Sequence, residues 1–569
     1  MSQALLKFQI GPVQDFIAQA RSTRDLWSGS YLLSWLVAAG IKALPQGSNL
    51  IFPARDDQPL LSEQLNPNTK GILIPNLPNI FIASINGDAV AVADEIKKAI
   101  EGEWQRMAKA VWDGRDKIGL PDKAKDRFDA QVHRHLTISW QATELTGDYA
   151  DAYRHNGWQL DAVRQTRDFQ AWDSAIGLHE KDSLSGKDEA LIAGNDIKGE
   201  WKFLFKHADY LGAITVIKRV WHLAYLKKEP HHLKTDSREF EIRSIPAIAA
   251  RSTELDDDAS PQEKALGEKY IAAIAFDGDA IGKWVNGDFL VAKNGLQQHH
   301  PDFSRALSHF ALGKVREIVE REVDGTDKQN KPIRVPCGQL IYAGGDDVVC
   351  LVPADAALEV ASELRRAFCK ATNHINGADP KTGEPVKPDA SAGIAIAHIH
   401  SPLQDLIREA QKAEKRAKNS VGRPAFSISL MKRSGEISHW GSKWESLGLE
   451  LYQAIAGELK PGGLSAKFPH RVCQLLTPYL TQTTDLSKQQ DAITDSDIAI
   501  DLITREFAHA AERQGSKALA DKLEKPLRDY LNNLPQDTKT LFTSIIGLCT
   551  TVAFADRTKP TAAEKQTAA

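Results

Sequence analysis

The sequence has few cysteines and no excess of either charge. Five cysteines are spread over 569 residues without a Cys-x-x-Cys pair, which argues against a zinc ribbon or a disulfide framework. The 71 lysines and arginines are balanced by 75 aspartates and glutamates, giving a net charge of −4. A strongly basic field that would attract nucleic acid without specificity is therefore excluded.

Long apolar segments and metal-type histidine spacings are also lacking. The N-terminus has no basic segment followed by an apolar stretch, so no signal peptide is expected. The longest apolar run near it, 35–41, is far shorter than the about 20 residues of a membrane span. No His-Asp dipeptide occurs, so the sequence gives no sign of an HD-type phosphohydrolase. We expect a cytoplasmic protein that does not contact a membrane.

The most informative motif that is present is Gly344-Gly345-Asp346-Asp347. It lies between two apolar runs, 339–342 and 348–352, and this pattern predicts a tight β-hairpin with paired carboxylates at its tip. Carboxylate oxygens are the ligands that Mg²⁺ prefers, and Mg²⁺ handles nucleotide phosphates. Taken alone, the motif fits a polar hairpin turn equally well.

A second acidic motif supports a metal site. Asp277-Gly278-Asp279 follows the apolar run 270–276, although an Asp in this position often only caps a helix. In a ferredoxin-like sheet the first strand lies beside the central hairpin, so Asp277 should meet Asp346 and Asp347. Converging carboxylates repel one another, and a divalent cation resolves the repulsion. We predict Mg²⁺ or Mn²⁺ on these four side chains and the Gly278 backbone, with Asp277, Asp346 and Asp347 as the catalytic residues.

Several further residues are candidates for nucleotide binding. The loop that follows Asp279 resembles loops whose backbone N–H groups hold phosphates. A lysine near the end of a predicted helix is placed to reach a terminal phosphate, although a solvated basic helix face explains its neighbours. The candidates are Gly282, Lys283, Ser308, Gly344, Gly345 and Lys418.

The order of predicted elements gives the fold class. Residues 263–436 read as β-α-β-β-α-β with an extra helix and strand, which is the ferredoxin-like unit of polymerase palms and nucleotide cyclases. The periodicity of 303–323 predicts one of these helices. Residues 1–150 show a similar order, with Gly11-Pro12 where the later unit has Asp277-Gly278-Asp279 and a proline-containing loop where it has the acidic hairpin. We expect an α+β protein with two palms, the first of them without metal ligands.

The remaining segments carry no chemical motif. Residues 151–262 read as a mostly helical domain that ends in an acidic linker, and 437–556 read as a C-terminal helical bundle for interaction. The alanine-, lysine- and threonine-rich tail, 557–569, is expected to be disordered.

The motifs resemble those of a known family, the large subunit of type III CRISPR effector complexes, and specifically its Cmr kind (type III-B). The most specific likeness is in the stretches 10–17, 20–21 and 24–30. The others are Asp277-Gly278-Asp279 followed by Gly282-Lys283-Trp284, the Gly-Gly-Asp-Asp hairpin, the strand 391–398, and the helix end at Ala417-Lys418, which is also similar to that of the GGDEF diguanylate cyclases. The likeness runs from residue 10 to about 435.

The resemblance implies a metal-dependent nucleotidyltransferase. On guide-directed binding of a target RNA, such subunits polymerise ATP into cyclic oligoadenylates, second messengers of antiviral defence. It also implies partners: the other Cmr subunits, a CRISPR RNA and the target RNA. Alternatives are a catalytically silent palm that serves as a scaffold, a stand-alone cyclic dinucleotide cyclase, and synthesis of another AMP-containing signal.

Two departures from the family pattern shape these expectations. Many members begin with an HD nuclease domain, whereas here the palm motif begins at residue 10, so no DNA cleavage by this chain is expected. Many members also carry a zinc-binding cysteine cluster after the first palm. Residues 182–186 stand there without a cysteine, and no zinc is expected.

Overall fold

The first palm is a four-stranded antiparallel sheet covered by helices. In the computed structural model the described residues are 3–56, 58–69, 71–166, 180–205, 209–228, 230–234, 242–253, 270–290, 295–327, 331–460, 462–480, 493 and 495–558. The strands are β1 (Gln3–Gly11), β2 (Asn49–Phe52), β3 (Ile80–Asn86) and β4 (Thr137–Glu144), and the helices are α1 (Gln14–Ala18), α2 (Thr23–Lys42), α3 (Ala89–Asp113) and α4 (Lys125–His135). The strand order is β2-β3-β1-β4, which is the ferredoxin-like arrangement predicted.

In its described residues, the segment between the palms combines helices with turns and a short ribbon, where a mostly helical domain is predicted. It contains α5 (Tyr149–Gln165), β5 (Ile192–Ala193), β6 (Tyr210–Leu211), α6 (Ala213–Trp221) and α7 (Ile245–Ala250). Around 182–212 the described residues form turns and a two-stranded ribbon, because the Asp182 carboxylate accepts hydrogen bonds from the backbone N–H groups of Leu184, Ser185 and Gly212 at 3.0, 2.7 and 2.8 Å. The predicted acidic linker lies outside the described residues.

The second palm repeats the order of the first on a larger sheet. The strands are β7 (Tyr270–Gly278), β8 (Glu322–Thr326), β9 (Pro332–Pro336), β10 (Gln339–Gly344), β11 (Asp347–Pro353), β12 (Gly377–Ala378), β13 (Pro385–Val386), β14 (Ala390–His398), β15 (Ala425–Met431) and β16 (Ile437–Lys443). The strand order of the large sheet is β10-β11-β7-β14-β15-β16, so its first four places match those of the first palm. The second palm's helices are α8 (Ile281–Asn286), α9 (Leu296–His309), α10 (Val315–Val319), α11 (Ala357–Ala371) and α12 (Leu403–Arg416).

Two boundaries differ from the prediction. The segment 303–323 is not one helix: a π-helical turn, Phe310–Lys314, separates α9 from α10, and Glu322–Thr326 is already a strand that pairs with Pro332–Pro336. The sequence pattern predicts that residues 437–443 begin the helical bundle, but they pair antiparallel with β15 as the edge strand β16. The physical reason is that Trp440 and Ser442 alternate inward with polar, outward neighbours, as in a half-buried strand.

The C-terminal region forms helices that pack on the second palm. They are α13 (Leu447–Glu458), α14 (Phe468–Leu476), α15 (Ser496–Gln514), α16 (Lys517–Asn532) and α17 (Thr538–Thr558). Their apolar side chains share one buried cluster with the second palm's sheet. Among the described residues, α17 alone is long and apolar enough to cross a membrane, but half of its window Thr538–Ala555 is buried inside the protein, as in the core helix of a bundle.

The most specific sequence motif, 10–30, joins the first palm to its neighbours. Asp25 in α2 binds the buried Arg219 of α6, with an Oδ1–Nε distance of 3.2 Å, and Arg219 also binds Asp209 at 3.0 Å. Ala20 and Leu26 belong to the buried cluster on the face of the second palm's sheet that α12 covers. The motif is therefore explained by packing and buried ion pairs, and it fixes one palm against the other.

Candidate functional site

The acidic hairpin has the predicted geometry. Gly344 and Asp347 form the last pair of β10 and β11, so Gly345 and Asp346 make a two-residue turn. Gly345 has φ = +71°, a left-handed conformation that glycine adopts without steric cost. A Cβ on Gly344 would lie 1.9 Å from the Tyr342 hydroxyl oxygen, so a larger residue there would require the Tyr342 ring to move.

Strand pairing brings the second acidic motif to this turn. β11 pairs antiparallel with β7 up to Val348 opposite Phe276, and Asp277 is the next residue of β7. The carboxyl groups of Asp277 and Asp346 come close enough for Asp277 to raise the pKa of Asp346. A Cβ on Gly278 would lie 3.0 Å from the Asp346 Cβ, so a glycine between the two aspartates allows the hairpin to approach this closely.

The convergence of carboxylates changes their acidity. Desolvation by the surrounding protein, with further contributions from Asp277 and Asp347, raises the pKa of Asp346 well above its usual value. Desolvation, then Asp277 and Glu414, raises the pKa of Asp347 to about 7, against the lowering effect of Lys418. An acidic pair with raised pKa values holds excess negative potential at neutral pH, which a cation would relieve.

Lys418 is the cation that the fold places at this cluster. It lies in the π-helical turn Ala417–Gly422 at the end of α12, and its Nζ donates to Asp277 Oδ2 and forms an ion pair with Glu414 Oε1 at 2.8 Å. Its side chain is only 9% exposed. Burial lowers the pKa of Lys418, but the Asp277 and Glu414 carboxylates outweigh burial and raise it overall, so the ammonium group stays charged.

Asp279 has partners of its own. The Ser391 hydroxyl lies 2.9 Å from each of its carboxylate oxygens, and Arg423 Nε lies 3.4 Å from Oδ1. Burial raises the pKa of Asp279 to about 6, while Ser391, Lys418 and Arg423 oppose the rise. Asp279 therefore lies beside the cluster, and its negative charge is better stabilised by hydrogen bonds and nearby cations than that of Asp346.

The remaining predicted residues are spread more widely. Gly282 is exposed with open space around it, and the exposed Lys283 ammonium lies 5.3 Å from the Phe289 ring centre. Ser308 is buried and lines a cavity of about 1200 Å³ between α9 and the first palm, which Asp56 and His309 also line. The structure thus brings together Asp277, Gly278, Asp346, Asp347 and Lys418, whereas Lys283 and Ser308 contact other groups.

Sequence reasoning missed four residues of the site: Tyr342, Ser391, Glu414 and Arg423. Two of them had a signal in the sequence. Ser391 lies opposite Asp277 in the β7–β14 register, and it is a polar residue that begins an otherwise apolar predicted strand. Glu414 precedes Lys418 by four residues, the spacing of an ion pair on one helix face.

The oxygen donors suit Mg²⁺, although they do not form a closed cage. Within the described ranges, no group of three or more histidine, cysteine, aspartate or glutamate side chains is arranged to hold a metal ion. Mg²⁺ is commonly bound through one or two carboxylates, and water and substrate phosphates complete its six ligands. The Asp277–Asp346 pair meets that requirement, and the predicted metal set remains a prediction.

The fold and this site define a class: a protein of two palm domains, with a carboxylate cluster in the second. Comparison with known proteins agrees. Residues 5–109 match the N-terminal domain of the CRISPR-associated protein Cmr2, and residues 270–427 match the second palm domain of Cas10/Cmr2. These two matches, one on each palm, confirm the resemblance to the Cas10/Cmr2 subunits of the Cmr kind that was drawn from the motifs.

Individual relatives are distant in sequence. The Cmr2 subunit of the Cmr system of Pyrococcus furiosus is 24% identical over 600 residues, covering 82% of this chain and 66% of the relative, so the chain spans just under two thirds of its length. The type III-B Cmr-beta structure in its apo state has a TM-score of 0.64 at 12% identity, covering 97% of this chain and 82% of that one. The same complex bound to cognate target RNA gives 0.61 at 12% identity, covering 97% and 83%. At these identities the two structures confirm the α+β palm fold.

The raised pKa of Asp347 predicts a stability effect. A carboxyl group whose pKa is raised by folding stabilises the protein while it is protonated, and that contribution is lost as the pH rises from about 4 to about 7. Asp347→Asn should therefore melt at a higher temperature than the wild type above pH 7 without divalent cations, with a smaller difference at pH 5. Differential scanning fluorimetry tests this, with the exposed Asp521→Asn as the control. An equal shift for both variants at both pH values would contradict the assignment.

Proposed function

We propose that this chain is the large subunit of an RNA-guided type III-B complex and that its second palm polymerises ATP into cyclic oligoadenylates. The observation that supports the proposal most directly is the meeting of Asp277 with Asp346 and Asp347 at one end of the second palm's sheet. The first palm has the same strand order but no carboxylates at the equivalent position. A single centre would therefore do the chemistry.

The roles of the residues follow from their placement. Asp277 and Asp346, with Asp347 beside them, would hold Mg²⁺ or Mn²⁺. When bound, the metal supplies neutralisation of the triphosphate and a lower pKa for the attacking ribose hydroxyl. Lys418, already charged and nearly buried, would donate to the terminal phosphates, so that the pyrophosphate leaves against a fixed positive charge.

The first palm would contribute surface instead of ligands. The Ala343 N–H, in the strand leading to the acidic turn, donates to the Pro75 carbonyl of the first palm at 2.9 Å. That contact belongs to the loop which replaces the acidic hairpin of the second palm. The first palm then borders the centre, where it would hold the acceptor nucleotide without binding metal.

The partners follow from the family. A relative is named as a subunit of the Cmr system, and one structural neighbour is a Cmr-beta complex bound to cognate target RNA. We propose the same kind of assembly here: the other Cmr subunits, a CRISPR RNA and a target RNA whose binding switches on synthesis. A cytoplasmic location fits such an assembly.

Removing the hairpin carboxylates tests the proposed activity. In the assembled complex with matching target RNA, Asp346→Ala/Asp347→Ala should reduce the products formed from ATP by at least about 100-fold, because the metal and the charge stabilisation that it supplies are lost. Mass spectrometry of the products, with and without target RNA, is the measurement. The matched control is Asp521→Ala/Glu524→Ala in α16, which should leave synthesis unchanged. Normal product formation by the hairpin variant would show that another centre does the chemistry or that the palm is a scaffold.

Lys418 can be tested against a neighbour on the same helix. Lys418→Met should raise the KM for ATP by about 10-fold or more, the value of a charge-assisted contact to phosphate. Lys412 lies on α12 with a 69% exposed side chain, 3.9 Å from Glu409, so Lys412→Met is the control and should keep the wild-type KM. Initial rates across ATP concentrations give the comparison. Equal KM values for the two variants would remove Lys418 from the phosphate site.

A further inference from the structure

A buried histidine forms hydrogen bonds that connect α5, which packs on the first palm, to α8, the helix that follows β7. His300, in α9, is fully buried. Its Nδ1 lies 2.8 Å from the Tyr149 hydroxyl oxygen at the start of α5, and its Nε2 lies 2.7 Å from the Val285 carbonyl oxygen in α8. One imidazole therefore links three helices.

The protonation of this imidazole follows from its partners. A carbonyl oxygen can only accept, so Nε2 carries the hydrogen and Nδ1 accepts from the Tyr149 hydroxyl. Burial lowers the pKa of His300 to about 4, against the raising effect of the Val285 carbonyl. The neutral form, which makes both hydrogen bonds, is thus the one present at physiological pH.

α5 is firmly attached to the first palm. The Asn156 side-chain amide in α5 donates to the Leu5 carbonyl in β1 at 3.1 Å and to the Gln141 carbonyl in β4 at 3.0 Å. A second contact reaches α8 from the same helix, because Arg154 Nη1 lies 3.4 Å from the Asn286 carbonyl oxygen. The sheet of the first palm therefore fixes α5, and α5 holds α8.

α8 in turn contacts the acidic turn. It begins at Ile281, two residues after Asp279. The Ile281 Cδ1 lies 2.6 Å from the position that a Cβ on Gly278 would take, and the Asp346 Cβ lies 3.0 Å from the same position. A shift of α8 would therefore move the Asp277–Asp279 turn relative to the hairpin that carries Asp346.

We infer that Tyr149 and His300 are positioning residues that hold α8, and through it the Asp277-Gly278-Asp279 turn, in register with the acidic hairpin. The first palm and α5 then support the geometry of a centre to which they give no carboxylate. The effect on ATP turnover rests on the proposed function, whereas the coupling between α5 and α8 does not.

Hydrogen exchange of the full-length chain tests the coupling without any turnover. Tyr149→Phe removes only the hydroxyl group, and amide exchange in 280–290 should become about two- to five-fold faster, the effect of losing one neutral hydrogen bond. Tyr153→Phe is the matched control, because the Tyr153 ring centre lies 4.5 Å from that of His300 and the hydroxyl of Tyr149, not that of Tyr153, bonds the imidazole. Unchanged exchange in Tyr149→Phe, or the same increase in both variants, would overturn the inference.

A double-mutant cycle separates loss of the Tyr149–His300 hydrogen bond from a general loss of stability. His300→Gln keeps an amide N–H that can donate to the Val285 carbonyl, but it removes the imidazole Nδ1 that accepts from the Tyr149 hydroxyl. If the Tyr149–His300 bond carries the coupling, His300→Gln/Tyr149→Phe should exchange no faster than the single variants, and additive effects would contradict it.

Turnover by the assembled complex separates this inference from the proposed function. The Mg²⁺ concentration for half-maximal synthesis should rise about two- to five-fold in Tyr149→Phe and stay unchanged in Tyr153→Phe. An unchanged Mg²⁺ requirement alongside faster exchange would overturn the link from α8 to the acidic centre. A wild-type complex that makes no product from ATP would instead refute the proposed function, and the exchange result would still decide whether α5 holds α8.

Discussion

The antiparallel pairing of β7 with β11 is the constraint on which the site depends. It fixes the end of one strand beside the turn of a hairpin some 70 residues later in the chain, and so it brings Asp277 and Asp346 together. The backbone ladder and the apolar side chains of both strands, almost all of them buried, supply the stabilisation. The carboxylates that meet at the end of this strand pair repel one another and lower its stability.

The second palm offsets this unfavourable cluster locally. Lys418 reaches Asp277 from the end of α12, and Ser391 with Arg423 engages Asp279. Two of the four aspartates, Asp277 and Asp279, therefore have a hydrogen-bonding partner and a nearby cation, whereas Asp346 and Asp347 keep raised pKa values. Unrelieved repulsion between carboxylates lowers stability, and it is typical of functional centres. A divalent cation would relieve the repulsion between these carboxylates, which is why we favour a catalytically active palm over a silent one.

The first palm repeats the order of four strands of the second palm's sheet, without the acidic motifs of the second palm. The first palm is joined to its neighbours by buried contacts: the Asp25–Arg219–Asp209 ion pairs and the packing of Ala20 and Leu26 on the second sheet. Its most specific sequence motif is thus accounted for by packing. The hydrogen bonds of His300 with Tyr149 and the Val285 carbonyl form a further buried connection between α5 and the second palm.

The sequence predicted the parts of this structure that depend on local patterns. Glycine in the left-handed region at residue 345 and alternating apolar runs around it define the hairpin, and the strand–helix order defines the two palms. It did not predict contacts set by tertiary packing. His300 reads as one polar residue in a histidine-rich stretch, Arg423 as part of a loop, and 437–443 as the start of a bundle, because what fixes each of them is a partner distant in the chain.

The central claim is that Asp277 and the Asp346–Asp347 pair form one nucleotide-dependent divalent-cation site. Electron paramagnetic resonance of Mn²⁺, titrated into the full-length chain with a non-hydrolysable ATP analogue, measures this most directly. The account predicts protein-bound Mn²⁺ in the wild type and in the exposed-carboxylate variant Asp302→Asn, with loss of that signal in both Asp277→Asn and Asp346→Asn. Equal Mn²⁺ binding by all four proteins would contradict it.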